Sequence, residues 1–267
     1  MRILLTGHKG FLGRHIYKAL DLNDTHEVHG FDCDSDYDVF DDLYRKLVSD
    51  GNRYDLVIHN GALSNSQVTD NLLWQLNYKA STKIADYCKQ TQKKLIFISS
   101  AAAIDPDIPY GWSKHCAEYY LSQVIASSNL CILRPFNIWD YDEEGKESPS
   151  IVYKILAGKL EKAYEGCLRD FVHVTNVATA IQHVVNEWEP GVFSIGTAQP
   201  TNIATLVNQL YQNGNKSKHP KPLIVNECPI KERLVASPED LLPNWKATPL
   251  ENYFEELQHY LIEDDEG

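Results

Sequence analysis

Basic residues are scarce in this sequence. Lysine and arginine total 25 against 37 aspartates and glutamates in 267 residues, a net charge of −12. That balance excludes the broad basic face that holds nucleic acid or an anionic membrane surface. Cysteine pairs are missing as well. Cys33, Cys88, Cys116, Cys131, Cys167 and Cys228 lie scattered with no CxxC spacing, which argues against a zinc site or a disulfide framework and predicts reduced, mostly buried thiols. No uninterrupted apolar run approaches the roughly 20 residues of a membrane-spanning helix, and no basic segment leads into an apolar stretch at the N-terminus. A soluble, cytoplasmic protein is the expectation. Internal repeats and low-complexity linkers are absent, so any lobes should be packed together. His26-Glu27-Val28-His29 resembles a metal motif, but its spacing is not HExxH and its surroundings are strand-like, where successive residues face opposite sides; it reads as structural. The run Glu263 to Glu266 reads as a solvated tail.

What is present describes a packed globular protein, with 43% hydrophobic and 23% charged residues, long enough for one large domain or two closely joined ones. Short apolar runs alternate with longer amphipathic stretches. Strands are expected over Arg2–Thr6, Glu27–Phe31, Leu56–His59, Lys94–Ser99 and Leu130–Leu133. Helices are expected over Phe11–Leu22, Asp42–Val48, Leu72–Cys88 and Tyr110–Ala126. Such alternation implies an α/β fold, a doubly wound parallel sheet with helices on both faces. After about Asn137 the alternation weakens, leaving helix candidates at Ile151–Gly158, Thr175–Glu187 and Ala204–Gln212. We therefore expect a Rossmann-type dinucleotide domain over 1–140 and a smaller substrate lobe over 141–267, partly interleaved with the first sheet.

Directly after the first strand comes Thr6-Gly7-His8-Lys9-Gly10-Phe11-Leu12-Gly13, leading into a helix. Gly7 permits the tight turn, Gly10 lets backbone amides approach a pyrophosphate, and Gly13 lets helix and strand pack closely. Asp32 ends the second strand nineteen residues past Gly13, close to the spacing of a carboxylate that holds adenosine ribose hydroxyls. The acids that follow favour NAD; Arg14 keeps NADP as the alternative. Farther on, Tyr110 and Lys114 stand four apart at the start of a helix and so share a face. A phenol beside an ammonium is equipped to exchange protons with a substrate hydroxyl, and Ser100, ending the fourth strand, is placed to hydrogen-bond the same oxygen.

Together these segments resemble the extended short-chain dehydrogenases/reductases, the nucleotide-sugar epimerase/dehydratase family, over nearly the whole chain. The resemblance implies catalytic roles for Ser100, Tyr110 and Lys114. It implies cofactor contacts from Gly7, Gly10, Phe11, Leu12, Gly13 and Asp32, from Asp38 and Val39 in Asp38-Val39-Phe40-Asp41, from Asn60, Gly61 and Ala62, from Asn77, and from Pro135. Arg134-Pro135-Phe136-Asn137 is similar to the family's R-P/Y-F-N element and Arg169 to Val174 to its RDFxHV signature. These imply substrate contacts from Asn137 and Arg169, with Arg233 as a second phosphate-binding arginine. Ile58 to Ser64, Asp86 to Cys88, Ile98 to Ala102 and Arg169 to Val174 resemble the ADP-glycero-manno-heptose 6-epimerases in particular, which adds Ser64 to the substrate candidates. A homodimer through the helices at Leu72–Cys88 and Tyr110–Ala126 is a further implication.

Absences narrow the reaction. Relatives that dehydrate or decarboxylate carry acids just after the strand-end hydroxyl, where this chain has Ala101, Ala102 and Ala103; the GDP-fucose synthase type has a Cys acid where Ala102 stands. Epimerisation of a nucleotide sugar through a transient ketone is left as the leading expectation, with a one-way NAD(P)H-dependent reductase or dehydrogenase, or a non-catalytic dinucleotide sensor, as alternatives. Only ten positions separate Ser100 from Tyr110, where relatives insert a longer loop, Asn176 replaces the family's Asp after His-Val, and the stretch before Arg169 is trimmed, so an altered sugar pocket is expected.

Overall fold

A computed structural model of the protein describes residues 1–21, 25–32, 47, 53–64, 69–143, 146, 148–211, 217–227 and 233–262. Asp38, Val39, all of the expected helix Asp42–Val48 except Leu47, Cys33, Cys228 and the acidic tail lie outside the described residues. The chain divides into two compact units, Met1–Pro135 with Val177–Ser194, and Phe136–Asn176 with Ile195–Gly267.

The first unit is built on β1 (Arg2–Thr6), β2 (Glu27–Phe31), β3 (Leu56–His59), β4 (Lys94–Ile98) and β5 (Leu130–Pro135). All neighbouring pairs among these five are parallel. Each strand is short and rich in Leu, Ile and Val, as strands buried on both faces are. Helices connect them: α1 (Phe11–Asp21), α2 (Asp70–Trp74), α3 (Ala80–Thr91) and α4 (Pro109–Val124). In α1 the buried positions Gly13, Ile16 and Leu20 fall at helical spacing, so one stripe faces the sheet. Gln92, in the left-handed conformation, ends α3, and Pro109 opens α4 at the one turn where a missing N–H does no harm.

Strand order, β2-β1-β3-β4-β5, places β1 beside both β2 and β3. The connections leave β1 in opposite directions, and the crevice beyond the carboxyl ends of β1 and β3 is where such sheets hold ligands. The expected Rossmann-type α/β fold is what the chain forms. Its core joins Leu4, Val57, Leu95, Phe97 and Ile132 of the strands to Ile84, Ala85 and Cys88 of α3 and Ala117 and Leu121 of α4.

Two features differ from the expectation. The helix expected over Leu72–Cys88 is continuous in path but contains a π-helical turn at Gln75–Lys79, between α2 and α3. A sixth strand, β10 (Gly191–Ile195), joins the sheet beside β5; five residues with no helix of their own after them gave no alternation to read.

The second unit includes β6 (Asn137–Trp139), α5 (Ile151–Leu156), β7 (Lys162–Tyr164), β8 (Leu168–Arg169) and β9 (Phe171–His173). The long helix α6 (Val174–Asn186) then leads back to the first unit. After β10 come β11 (Thr201–Asn202), α7 (Ile203–Leu210), β12 (Leu223–Val225), β13 (Arg233–Leu234) and α8 (Phe254–Leu261). Its core gathers Trp139, Ile155, Phe171, Leu206, Leu257 and Leu261. No helix among the described residues is long and apolar enough to cross a membrane.

Candidate functional site

The glycine loop is held by backbone crowding. Gly7 has φ +68°, and a Cβ there would stand 2.7 Å from the Cα of Gly61. A Cβ on Gly13 would run into the carbonyl of Gly7, whereas one on Gly10 meets only that carbonyl, at 3.3 Å. Gly7 and Gly13 therefore serve the fold, and Gly10, exposed at the mouth of the turn, leaves a Cβ-free approach for a ligand's phosphates. Phe11 and Leu12 open α1 half-buried. The Asp32 carboxylate accepts the Lys9 amide at 2.8 Å, which ties the end of β2 to the same loop.

Beyond β3, Asn60 donates to the Gly7 carbonyl at 3.1 Å and the Gly61 amide donates to Thr6 Oγ1 at 3.1 Å. Ala62 and Ser64 are exposed on the segment that follows. Asn77, fully buried in the π turn, fastens this segment: its Oδ1 accepts the Leu63 amide at 2.8 Å, and its Nδ2 donates to the Leu63 carbonyl at 2.9 Å and to Ser113 Oγ at 3.1 Å. Ser113 in turn donates to the Tyr110 carbonyl at 2.7 Å.

His59, which ends β3, completes the chain of contacts. Ser81 Oγ donates to the Asn77 carbonyl at 2.6 Å, so its proton is committed and it receives one from His59 Nε2 at 3.0 Å. His59 Nδ1 must then accept from Thr6 Oγ1, 2.7 Å away. The neighbours thus dictate a neutral Nε2–H tautomer. Burial, with the Lys114 charge as a second cause, pushes the imidazole down to about 3.

Tyr110 and Lys114 lie on consecutive turns of α4, opposite the end of β4. Ser100 is extended and its Oγ accepts the Ala102 amide at 3.2 Å. That leaves its hydroxyl proton free to turn toward the Tyr110 phenol. Burial raises the phenol above its ordinary range, and the Ser100 hydroxyl works in the opposite direction. Lys114 is buried, donates to the Ile98 carbonyl at 2.7 Å, and stands over the Phe97 ring at 4.7 Å. Desolvation pulls its ammonium down to about 7, against the opposing field of Glu118. Ser100, Tyr110 and Lys114 are thereby brought together as the sequence suggests.

The short connection between Ser100 and Tyr110 folds as one turn of 3₁₀ helix, Ala101–Ala103. A Cβ on Gly111 would come within 2.5 Å of the Ala102 carbonyl, and His115 Nδ1 lies 2.9 Å from the Ala103 carbonyl. The connection is therefore pressed against α4 at Ala102 and Ala103, and its first three residues are alanines.

In the second unit Asn137 gives both its backbone amide, at 3.0 Å, and its Nδ2, at 2.8 Å, to the Asp170 carbonyl. Arg169 is buried and donates to the Leu168 carbonyl at 2.9 Å. Arg233 is exposed, and the register sets it beside Leu168 while Leu234 pairs with Arg169. Side chains alternate along strands, so the two arginines are not brought onto one face of this sheet. Between Arg169 and Phe171, Asp170 is fully buried and accepts from the amides of Thr197, Ala198 and Ala236 and from Thr197 Oγ1 at 2.7 Å. It pins the turn after β10, a role that inspection of Arg169 alone misses. Pro135 is buried at the end of β5 in the first unit.

Elsewhere the histidine-rich segment is structural: Glu27 pairs with Arg2 at 3.0 Å and with His29 at 2.7 Å, and His26 lies 3.3 Å from Asn186 Oδ1. Cys88 and Cys131 are buried, and desolvation pushes both thiols up to about 12; neither is poised to react.

Residues 3–196 match the model of the NAD dependent epimerase/dehydratase family, and the chain belongs to that family. Solved structures with the same fold include the ADP-L-glycero-D-manno-heptose-6-epimerase of Helicobacter pylori, at 22% identity, TM-score 0.68 and 85% of each chain covered. The enzyme WbmG of Bordetella bronchiseptica, in complex with NAD and UDP, is 18% identical with TM-score 0.76, over 97% of this chain and 94% of that one. The UDP-N-acetylglucosamine 4-epimerase of Methanobrevibacter ruminantium M1, in complex with UDP-N-acetylmuramic acid, is 21% identical with TM-score 0.75, over 97% and 96%.

Proposed function

We propose that this protein is an NAD-dependent nucleotide-sugar epimerase that works through a transient keto sugar. The observation that carries the reading is Tyr110 one helical turn from a buried Lys114, with the Ser100 hydroxyl favouring the phenolate, beside a strand end that offers alanines where elimination needs an acid. The exposed turn at Gly10 and the carboxylate of Asp32 suit a dinucleotide: the loop amides would take the pyrophosphate and Asp32 the adenosine ribose. Asn60 to Ala62 would line the same ligand, with Tyr110 and Lys114 at its nicotinamide end.

When bound, NAD supplies a hydride acceptor and donor and, in its oxidised form, a positive charge that favours the phenolate. Tyr110 takes the proton of the sugar hydroxyl as the carbonyl forms, and gives it back after the keto sugar has turned its other face. Ser100 holds the substrate oxygen and steadies the phenolate; the Lys114 ammonium supports that negative charge. Asn137 and Arg169, both in the second unit, are the candidates for the nucleotide-sugar moiety, and arginine suits a diphosphate by its bidentate donors; Arg233, on the other face of the sheet from Arg169, does not share that role.

The test has two parts. Nucleotide released on denaturing the purified protein should be NAD, and incubation with a panel of nucleotide sugars should give an epimer detected by NMR without net cofactor consumption. Stoichiometric oxidation or reduction of added cofactor would instead identify a one-way reductase or dehydrogenase.

A further inference from the structure

Consecutive residues at the end of β4 engage side chains of α4. The Ile98 carbonyl accepts from Lys114 Nζ at 2.7 Å and Ser99 Oγ donates to the Glu118 carboxylate, while the Ser100 hydroxyl next along favours the Tyr110 phenolate. Tyr110, Lys114 and Glu118 stand four apart, so they form one stripe along the helix. The third member has no place in the proton transfer described above, yet it is as deliberately held as the other two.

Glu118 is 6% exposed. Besides Ser99, its carboxylate receives Arg134 of β5, with Nε 3.0 Å from Oε1 and Nη2 2.5 Å from Oε2. A two-pronged guanidinium and a hydroxyl fix both oxygens. A buried ion pair is a poor way to gain stability, because desolvating both charges consumes most of their attraction. Its value here is better sought in what the carboxylate does to its surroundings. One turn away is the other buried charge of the helix, Lys114. Facing that ammonium are Glu118 from its own helix, the neutral His59 from β3, and the Phe97 ring and Ile98 carbonyl from β4, with Tyr110 one turn before it on the helix. Of these, Glu118 supplies the full negative charge.

We propose that Glu118, clamped between Ser99 and Arg134, is a positioning residue that keeps the Lys114 ammonium charged in its buried site and through it sets the acidity of Tyr110. The inference rests on the reading of Tyr110 and Lys114 as the proton-transfer pair. Burial pulls Lys114 down to about 7 even with Glu118 opposing the fall, so without that carboxylate the ammonium would be discharged at still lower pH. Arg134 grips both carboxylate oxygens and stops the side chain from swinging away.

The decisive measurement follows the Lys114 Nζ resonance in full-length protein labelled with 15N-lysine, assigned through Lys114→Arg, between about pH 5 and pH 10. Glu118→Gln should lower its titration midpoint by about one pH unit, a roughly tenfold loss of proton affinity, while Glu118→Asp stays near the wild-type midpoint. In turnover assays the Gln variant should lose kcat selectively on the alkaline side, with KM little changed. A merely structural Glu118 would depress the rate equally at every pH and leave the Nζ midpoint in place. If Glu118→Gln does not accumulate as folded protein, Glu118→Gln/Arg134→Gln replaces it, two amides standing in for the ion pair. A midpoint that stays put in the folded variant overturns the proposal even if the wild type is an active epimerase. A moved midpoint with an unmoved pH–rate profile also overturns it. An inactive wild type refutes the epimerase reading alone, because the resonance needs no substrate.

Discussion

Lys114 Nζ donates to the carbonyl of Ile98 at 2.7 Å inside a site that excludes almost all water. One neutral acceptor does not repay the hydration that an ammonium loses, so its proton is held only up to about pH 7, against 10.5 for an ordinary lysine. The first prediction follows from that difference. Between those two pH values the unfolded chain carries a proton that the folded protein has released, so wild-type stability should rise with pH across this window. The slope from this group is at most about 1.4 kcal/mol per pH unit. Lys114→Met should lose that rise, be at least as stable as the wild type at neutral pH, and turn over substrate about a hundredfold or more slowly. Urea denaturation at several pH values checks the first two, and steady-state assays the third.

The glycine loop supports a contrast between two conservative changes. Gly13→Ala would drive a methyl group into the backbone of Gly7 and His8, neither of which can move without dismantling the β1 turn. Gly10→Ala meets one carbonyl at 3.3 Å, a contact that a small shift relieves. We expect Gly13→Ala to lose several kcal/mol or fail to fold. Gly10→Ala should melt within a few degrees of the wild type yet bind NAD at least tenfold more weakly, because its methyl group stands where the pyrophosphate must approach. Thermal melts with and without NAD separate the two cases. Equal NAD affinity in Gly10→Ala and wild type would show that the dinucleotide does not use this turn.

Much of this was legible from spacing. A strand run, a glycine every third residue and an amphipathic stretch state β1, the turn and α1 directly, because each is a local pattern with a local cause. The same holds for Tyr110 and Lys114, whose separation of four encodes a shared face. Glu118 was equally visible at four residues further on, but an acid in a helix ordinarily reads as solvated, and only burial against Ser99 and Arg134 distinguishes it. His59 and Asp170 escaped for another reason. Their partners lie 53 residues away at Thr6 and 66 away at Ala236, and no local pattern announces a tertiary hydrogen bond. Nor did the π turn at Asn77 leave a mark, since Gln75 to Lys79 suits an ordinary helix.

Ser100 offers a test of the proton-transfer step that does not require removing the phenol. Its hydroxyl opposes the rise that burial imposes on Tyr110. Ser100→Ala therefore leaves the phenol harder to ionise, and the acid limb of the pH–rate profile should move to higher pH. Tyr110→Phe should abolish turnover by a factor of about a thousand while retaining bound NAD. A Ser100→Ala profile superimposable on the wild type, scaled down uniformly, would assign Ser100 to substrate binding alone.

His59 makes the last prediction, and it concerns acid stability. Its imidazole accepts at Nδ1 from Thr6 and donates at Nε2 to Ser81, an arrangement that a second ring proton would break. Its folded pKa of about 3 lies below the ordinary 6.5, because burial penalises the cation and Lys114 repels it. The neutral ring's contribution is therefore complete above pH 6.5 and is lost progressively as pH falls from there toward 3, where unfolding takes up the proton that the folded state refuses. Each unit of that descent removes up to about 1.4 kcal/mol. His59→Asn should be less stable than the wild type at neutral pH by about 1–3 kcal/mol, since its shorter amide cannot reach both hydroxyls. Between about pH 6.5 and 4.5, however, its stability should decline less steeply, because asparagine has no proton to gain. Carboxylates contribute to both curves in the same way, so the difference between the two proteins isolates the imidazole. Parallel curves in urea denaturation across that interval would mean that His59 is already able to protonate in the folded protein, and that the hydrogen-bond path from Thr6 to Ser81 is not closed to a second proton.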